Sequence, residues 1–284
     1  MTTSIARSGR YPMRWRKAHL KLMTKMKTRW TMEVSEMPRQ LPLPFMNQVQ
    51  PRFANFVRGP NQLAVDALRQ WASTSSEWTY LYGGHGTGVT HLLLAATALA
   101  AELSGKTMYL SLREDGLTPE SLAGLEQFGH IALDDIDVVA GHSDWELALF
   151  SLCNGVKDNE HAILFGAHSA PERTDWRLPD LRSRLQSAAR YRLKALADEE
   201  RLIALQRHLA ERGLSLSDEA GRYLLRRGPR DMRHLLSVIE RLDHASLVQK
   251  RPLTVPFIRD VMGWSVTAQN KENQGSLPHG ADEE

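Results

Sequence analysis

The sequence is short of cysteine, of long apolar runs and of metal-binding spacings. One cysteine, Cys153, is present among 284 residues, which excludes an intramolecular disulfide and suits a reducing compartment. No run of 18 apolar residues occurs, so no transmembrane helix is expected. The 11 histidines form neither an H-E-x-x-H motif nor a paired Cys/His spacing, which excludes the common zinc motifs. These absences predict a cytoplasmic protein with no membrane partner.

Acidic residues are missing from the first 32 positions, which hold nine Lys or Arg residues. Without these nine, 27 basic and 33 acidic residues remain, so the rest of the chain is mildly acidic. The basic arm, residues 1–36, is typical of a nucleic-acid contact or a transit-like segment. We favour a third interpretation, in which translation starts at Met32 or Met37. The polar, aperiodic stretch 265–284 is expected to be a disordered tail.

A glycine-rich loop follows the apolar segment 78–82 and precedes an apolar helix. It reads Gly83-Gly84-His85-Gly86-Thr87-Gly88-Val89-Thr90, the G-x-x-x-x-G-K-[ST] phosphate-binding pattern with Val89 in the place of lysine. Glycines let backbone N–H groups surround phosphate oxygens, and the helix N-terminus favours the anion. The loop predicts a nucleotide site with Gly83, Gly86, Gly88, Val89 and Thr90 as contacts. A glycine-rich turn without function is the alternative.

A second motif supports this interpretation. Residues 130–137 read His-Ile-Ala-Leu-Asp-Asp-Ile-Asp, in which a short apolar run is followed by two acids, Asp134 and Asp135. In such a motif the first acid holds Mg²⁺ and the second orients the attacking water. Thr90 and Asp134 are therefore the predicted Mg²⁺ ligands.

The order of predicted elements indicates an α/β domain followed by helices. Strands are predicted at 78–82, 107–112, 130–133, 162–167 and 190–196, and helices at 61–72, 91–104, 119–127, 144–158 and 178–187. This alternation predicts a parallel sheet covered on both faces. After residue 197 only helices are predicted, at 198–212, 217–227 and 230–247 and after the N-cap Thr254. An AAA+ P-loop domain at 53–197 and a small helical lid at 198–264 are thus expected.

Several longer stretches resemble one family. Between Gln40 and Trp264 the chain resembles the Hda family, DnaA-related AAA+ regulators that inactivate the bacterial replication initiator. The matching stretches are residues 53–61, 133–136, 178–185, 230–235 and 253–257.

The segment 37–52 contains a further feature of that family. Gln40-Leu41-Pro42-Leu43-Pro44-Phe45 is similar to the peptide by which Hda proteins bind the sliding clamp of DNA polymerase III. Two prolines limit the conformations of the free peptide, so less entropy is lost on docking. Leu41, Leu43, Pro44 and Phe45 would meet an apolar pocket, and Gln40 its rim. A proline-rich linker with incidental leucines is the alternative.

The resemblance also implies roles for single residues. Arg184 matches the arginine finger, which reaches ATP held by a neighbouring subunit. Arg233 matches sensor 2, which contacts the nucleotide phosphates from the lid. Phe56 and Asn61 match the segment that lines the adenine pocket. The implied cofactor is ADP or ATP, with Mg²⁺ as a possible addition.

Two positions depart from the family pattern. Val89 replaces a basic residue, and His168 replaces the small polar or acidic group of sensor 1. The lost charge-assisted bond is worth roughly 1.5–3 kcal/mol, or a factor of about 10–100 in affinity. We therefore expect weak nucleotide binding and little or no ATPase activity of the chain itself.

The resemblance implies a negative regulator of replication initiation, with the clamp and DnaA as partners and DNA contacted mainly through the clamp. It would stimulate hydrolysis of DnaA-bound ATP. A homo-oligomer is a further expectation. The alternatives are a DNA-binding initiator or helicase loader of the same fold, and an independent P-loop NTPase or small-molecule kinase. An initiator would carry a helix-turn-helix domain after the lid, and only a short polar tail follows Trp264.

Overall fold

A computed structural model describes residues 50–74 and 76–264. Five parallel strands form one sheet in the order β2-β3-β4-β1-β5. The strands are β1 Trp78–Tyr82, β2 Thr107–Ser111, β3 His130–Asp134, β4 Ala162–Ala167 and β5 Ala189–Arg192. The parallel sheet predicted from the alternating elements is confirmed. The proposed clamp peptide (Gln40, Leu41, Leu43, Pro44 and Phe45), the basic arm and the tail lie outside the described residues.

The sheet carries helices on both faces. These helices are α1 Gln62–Trp71, α2 Val89–Ser104, α3 Ser143–Asp158 and α4 Pro179–Ser187. Leu81 and Leu164 point to α1 and α2, whereas Tyr80, Ile163 and Phe165 point to α3 and α4. Successive strand residues alternate between the two faces, so each face receives its own apolar core.

The position of each strand in the sheet explains its burial. Every residue of β3 and β4 is buried, because both strands have neighbours on two sides and helices above and below. The outer strand β5 is mostly exposed, and its sequence Ala-Arg-Tyr-Arg is polar. β1 lies between β4 and β5, so the loops that follow β1 and β4 meet at one edge of the sheet.

Four further helices form the lid. They are α5 Asp198–Ala210, α6 Asp218–Arg227, α7 Met232–Gln249 and α8 Val255–Met262. Ser217, Asp231 and Thr254 cap α6, α7 and α8 by accepting a hydrogen bond from a backbone N–H in the first turn. A separate apolar core holds the lid together, with Leu205, Leu224, Leu235, Ile239 and Phe257 fully or almost fully buried. The predicted helical lid is confirmed.

Two sequence predictions were wrong in detail. The helix predicted at 119–127 is two short 3₁₀ turns, Pro119–Leu122 and Leu125–Gln127, because Gly124 between them has a φ of 86°. The strand predicted at 190–196 ends at Arg192, since the backbone at Lys194 bonds to a side chain instead of to β1. Across residues 50–74 and 76–264, no helix combines the length and apolar character needed to cross a membrane.

Candidate functional site

A cavity of about 350 Å³ opens where the ends of β1, β3 and β4 face the lid. Its walls come from the segment before α1, the glycine loop, the ends of β3 and β4, and helices α5 and α7. Most of the residues predicted to contact nucleotide line it. They are Phe56, Gly83, Gly86, Gly88, Val89, Thr90, Asp134, Asp135 and Arg233.

The glycine loop depends on its glycines at two points. Gly86 and Gly88 have φ angles of 73° and 99°, a region that side chains with a Cβ rarely adopt. A Cβ on Gly88 would lie 2.7 Å from Cε2 of Phe56. The loop therefore reaches its shape only with glycine at this position, where the Phe56 ring packs closely against it.

Val89, the first residue of α2, points towards the sheet. A Cβ built on Gly166 of β4 would lie 3.2 Å from Cγ1 of Val89 and 2.5 Å from Oδ1 of Asp134. The valine methyl groups thus pack beside the end of β4 and next to the buried carboxylate. The position that carries an ammonium group in other phosphate loops is occupied by hydrocarbon.

Asp134 is buried at the end of β3, with 2% of its surface exposed. The Tyr109 hydroxyl donates to its Oδ2 over 3.0 Å, and the backbone N–H of Asp135 donates to its Oδ1 over 2.9 Å. Burial raises the pKa of Asp134 above its ordinary value, and a hydrogen bond with Thr90 acts in the opposite direction. The sequence does not predict this role of Tyr109, because the residue lies on the neighbouring strand β2, 25 positions from Asp134.

Thr90 and Asp134 have the chemistry required of Mg²⁺ ligands. A hydroxyl and a carboxylate supply oxygen atoms, and a protein magnesium site often uses one or two carboxylates together with nucleotide phosphates. Among the described residues, no group of three His, Cys, Asp or Glu side chains could hold a metal ion. The donor set therefore fits an ion that binds together with a nucleotide.

Asp135 adopts a left-handed conformation with a φ of 56° directly after β3. The Ser111 hydroxyl donates to its Oδ2 over 3.0 Å, and the Arg113 Nε atom lies 3.4 Å from its Oδ1. These contacts hold the carboxylate at the edge of the cavity. On the same carboxylate, Oδ1 lies 3.8 Å from Nδ1 of His168.

His168, at the end of β4, joins the loops after β3 and β1. Its Nδ1 atom lies 3.3 Å from Oδ2 of Asp137, and its backbone N–H donates to the same oxygen over 3.3 Å. Its ring lies 4.2 Å from the ring of His85, measured between centroids. We refer to His85, His168, Asp135 and Asp137 as the histidine–aspartate cluster. The sequence identified His168 as the sensor 1 substitute, but the partners of its ring came only from the structure.

The lid meets the glycine loop at the N-terminus of α7. A Cβ on Gly86 would lie 3.0 Å from the backbone nitrogen of Met232 and 3.4 Å from that of Arg233. The side chain of Arg233 is exposed and lines the cavity. The neighbouring Arg230 has an exposed side chain, and its carbonyl accepts a hydrogen bond from Arg201.

Part of the cavity lining is apolar and aromatic. Phe56 and His91 have ring centroids 5.4 Å apart, and Nε2 of His91 lies 3.1 Å from the carbonyl oxygen of Arg52. Burial lowers the pKa of His91, which favours a neutral ring. Leu196, just before the lid, and Leu236 of α7 add apolar surface. A flat aromatic base fits such walls.

Asn61 is the one predicted nucleotide contact that is not part of the cavity lining. It is buried, its amide NH₂ donates to the carbonyl of Lys194 over 3.0 Å, and its amide oxygen accepts from the Lys194 N–H over 2.8 Å. Both polar atoms are thus used to fix the chain between β5 and the lid.

Arg184 also lies outside the cavity, on α4. Its Nη2 atom donates to Oδ1 of Asn154 over 2.8 Å, and its guanidinium carbon lies 5.9 Å from the centroid of the Phe150 ring. Both partners come from α3. In contrast, Arg182 has an exposed side chain with no hydrogen bond or ion pair among the described residues. The structure therefore distinguishes a positioned arginine from a solvated one.

Glu146 of α3 was not singled out in the sequence. Its side chain is fully buried, and its carboxylate accepts three backbone hydrogen bonds. The donors are Gly141 at 2.7 Å, Arg177 at 3.1 Å and Leu178 at 2.7 Å. Leu178 directly precedes α4, so Glu146 fixes the start of the helix that carries Arg184.

Two family models match the sequence. The model described as the bacterial DnaA ATPase domain matches residues 48–194, and the model described as the Hda lid domain matches residues 198–262.

Solved structures have the same fold at low sequence identity. Domain III of the Thermotoga maritima replication initiation protein DnaA is 20% identical, with a TM-score of 0.67, over 76% of this chain and 96% of that one. AMPPCP-bound DnaA from Aquifex aeolicus is 24% identical, with a TM-score of 0.59, over 69% and 65% of the two chains. The Thermotoga maritima RuvB branch migration motor is 19% identical, with a TM-score of 0.55, over 73% and 67%.

Proposed function

The chain belongs to the Hda family of DnaA-related AAA+ proteins, and we propose that it stimulates hydrolysis of DnaA-bound ATP while bound to the DNA-loaded sliding clamp. Its place in this family makes it a DnaA-related replication regulator. The proposal adds the reaction, the residue that drives it and the platform on which it occurs.

The observation that carries the proposal is the environment of Arg184. The guanidinium is held by Asn154 and Phe150, outside the cavity of its own chain. In such a position it would reach the γ-phosphate of ATP bound to another subunit. Charge on that phosphate spreads over its oxygens in the transition state, and a trans arginine of this kind is worth roughly 10³–10⁵ in rate. The hydrolysed ATP belongs to DnaA, so the chain would be an activator and not itself the ATPase.

The cavity would bind the nucleotide of the regulator itself. Backbone N–H groups of the glycine loop and Arg233 of the lid would meet the phosphates, and Phe56 would cover the base. Thr90 and Asp134 would hold Mg²⁺, which neutralises phosphate charge when bound. Val89 gives no ammonium group, so weak binding and little ATPase activity are expected. We infer that ADP-bound protein is the active form.

The peptide that begins at Gln40 would tether the protein to the clamp. Its sequence supports this role, since two prolines pre-order an extended segment and three apolar side chains can fill a pocket. Clamp left on DNA after synthesis would then bring the regulator close to ATP-bound DnaA.

A single-turnover assay of ATP-bound DnaA with DNA-loaded clamp tests the proposal. We expect Arg184→Ala to remove most of the stimulation, because the lost charge acts in the transition state. Arg182→Ala is the matched control and should retain it. Gln40→Ala with Leu43→Ala should lose clamp binding and, with it, the stimulation on DNA. Full activity of the Arg184 variant, or an equal loss from Arg182→Ala, would show that the finger is wrongly assigned.

The same assay separates the alternative function. A DNA-binding initiator or helicase loader would bind DNA without the clamp and would not change the rate of ATP hydrolysis by DnaA. DNA binding that persists in the absence of clamp, together with no stimulation of DnaA, would favour that class.

A further inference from the structure

The glycine loop lacks the lysine of other phosphate loops, since Val89 stands at that position and packs against the end of β4 beside Gly166. Phosphate oxygens in the cavity would still need compensating charge. Two basic side chains lie where the glycine loop approaches β4, namely His85 and His168. We propose that these two histidines bind the terminal phosphate in place of the missing lysine. The inference rests on the nucleotide binding proposed above and identifies the residues responsible for it.

The first argument is the orientation of His168. Asp137 holds the residue twice, through the backbone N–H and through Nδ1 of the ring, each at 3.3 Å from Oδ2. With Nδ1 turned to the carboxylate, the second ring nitrogen, Nε2, lies on the other side of the imidazole. Nε2 has no hydrogen bond to any described residue, and His168 lines the cavity. A carboxylate that fixes one ring nitrogen and leaves the other free prepares the imidazole to meet a ligand.

The second argument is the position of His85. It stands between Gly84 and Gly86 in the glycine loop and is exposed. Its ring lies 4.2 Å from that of His168 at an angle of 47°. The two rings therefore bridge the glycine loop and the end of β4. In P-loop proteins the glycine loop surrounds the β- and γ-phosphates, so the terminal phosphate lies beside it.

The third argument concerns charge. The groups that face His168 are the carboxylates of Asp135 and Asp137 and the ring of His85. Arg113 pairs with Oδ1 of Asp135, the same oxygen that lies nearest to His168. A phosphate on the Nε2 side would accept a hydrogen bond from Nε2–H of the imidazolium form, while Nδ1–H donates to Asp137.

A metal ion between the two histidines would be another use of this cluster. The described residues, however, contain no group of three His, Cys, Asp or Glu side chains arranged for a metal ion. Phosphate is therefore the ligand that the geometry favours.

Isothermal titration calorimetry with ATP tests the inference. The full-length wild type is compared with His168→Gln, His85→Gln, Val89→Lys and the double variant Val89→Lys with His168→Gln. His244→Gln is the matched control, since His244 is exposed on α7 and lies outside the cavity lining. Thermal unfolding of each variant verifies that it is folded.

We expect His168→Gln to weaken ATP binding about tenfold, as for the loss of one charge-assisted hydrogen bond. His85→Gln should weaken it in the same direction. In the Val89→Lys background the His168 substitution should cost about threefold or less, because the lysine then supplies the charge.

Equal ATP affinities of the wild type, His168→Gln and His85→Gln would overturn the inference and leave nucleotide binding itself intact. An equal loss of ATP affinity from His168→Gln in the wild type and in the Val89→Lys variant would also overturn the inference. The histidine would not then act in place of the lysine. If the wild type bound no nucleotide, both the inference and the proposed cavity function would fail. The DnaA assay with Arg184→Ala would still test the regulatory proposal independently.

Discussion

Replacing Glu146 with glutamine should destabilise the α/β domain and misplace Arg184. The carboxylate is fully buried and accepts backbone hydrogen bonds from Gly141, Arg177 and Leu178 at 2.7, 3.1 and 2.7 Å. A glutamine amide has one acceptor oxygen, so its NH₂ group must face a backbone N–H that it cannot satisfy.

The expected magnitude follows from these three contacts. Hydrogen bonds to a charged group are worth roughly 1.5–3 kcal/mol, and an unsatisfied buried donor costs about 1–3 kcal/mol. Relief from burying a charge offsets part of this loss. We therefore expect the free energy of unfolding to fall by about 3 kcal/mol, or a midpoint shift of about 6–12 °C for a domain of this size.

Urea denaturation and the DnaA single-turnover assay measure the two consequences. Glu102→Gln is the matched control, because Glu102 lies on the exposed side of α2. Glu146→Gln should retain clamp binding but stimulate DnaA less, since a displacement of about 1 Å at a catalytic group can cost about 100-fold in rate. A stability change below about 1 kcal/mol would refute the reasoning.

Two further substitutions test the cavity walls. Gly88→Ala should cost about 1–3 kcal/mol of stability and weaken nucleotide binding, because the φ of Gly88 is 99° and the new Cβ would lie 2.7 Å from Phe56. Gly105→Ala is the control, since Gly105 has a φ of 78° and open space around it. Equal losses of stability in thermal unfolding would show that the Phe56 contact is unimportant. Asp134→Asn should stabilise the protein near pH 7 but not below the ordinary aspartate pKa of 3.8, because burial raises the pKa of Asp134 and its stabilising contribution is lost as pH rises through the raised value. Unfolding midpoints measured from about pH 3 to pH 8 decide this second case, and a difference that stays constant with pH would contradict it.

The parts of the site that follow the local chain order could be predicted from the sequence. The glycine loop, the two acids at the end of β3 and the first residue of α2 each belong to a short motif of nearly consecutive residues. Such motifs can be recognised in the sequence alone. Phe56 was assigned to the site through the family resemblance, and the cavity includes it.

Contacts between distant segments could not be predicted in the same way. Tyr109 reaches Asp134 because β2 pairs with β3 in one particular register, and no local pattern fixes that register. Asn61 is bound to Lys194, which is 133 positions away. Glu146 looks like an ordinary helix charge until the loop before α4 folds over it.

Arg184 does not line the candidate nucleotide cavity, and the proposed trans arginine has a consequence for assembly. A contact that joins the arginine of one subunit to the nucleotide of another is head-to-tail and not two-fold symmetric. Such contacts either close into a ring or extend as an open row. In an open row, the arginine of the subunit at one end and the cavity of the subunit at the other end have no partner. A regulator that uses this contact would add to one end of a row of DnaA subunits and not to the other.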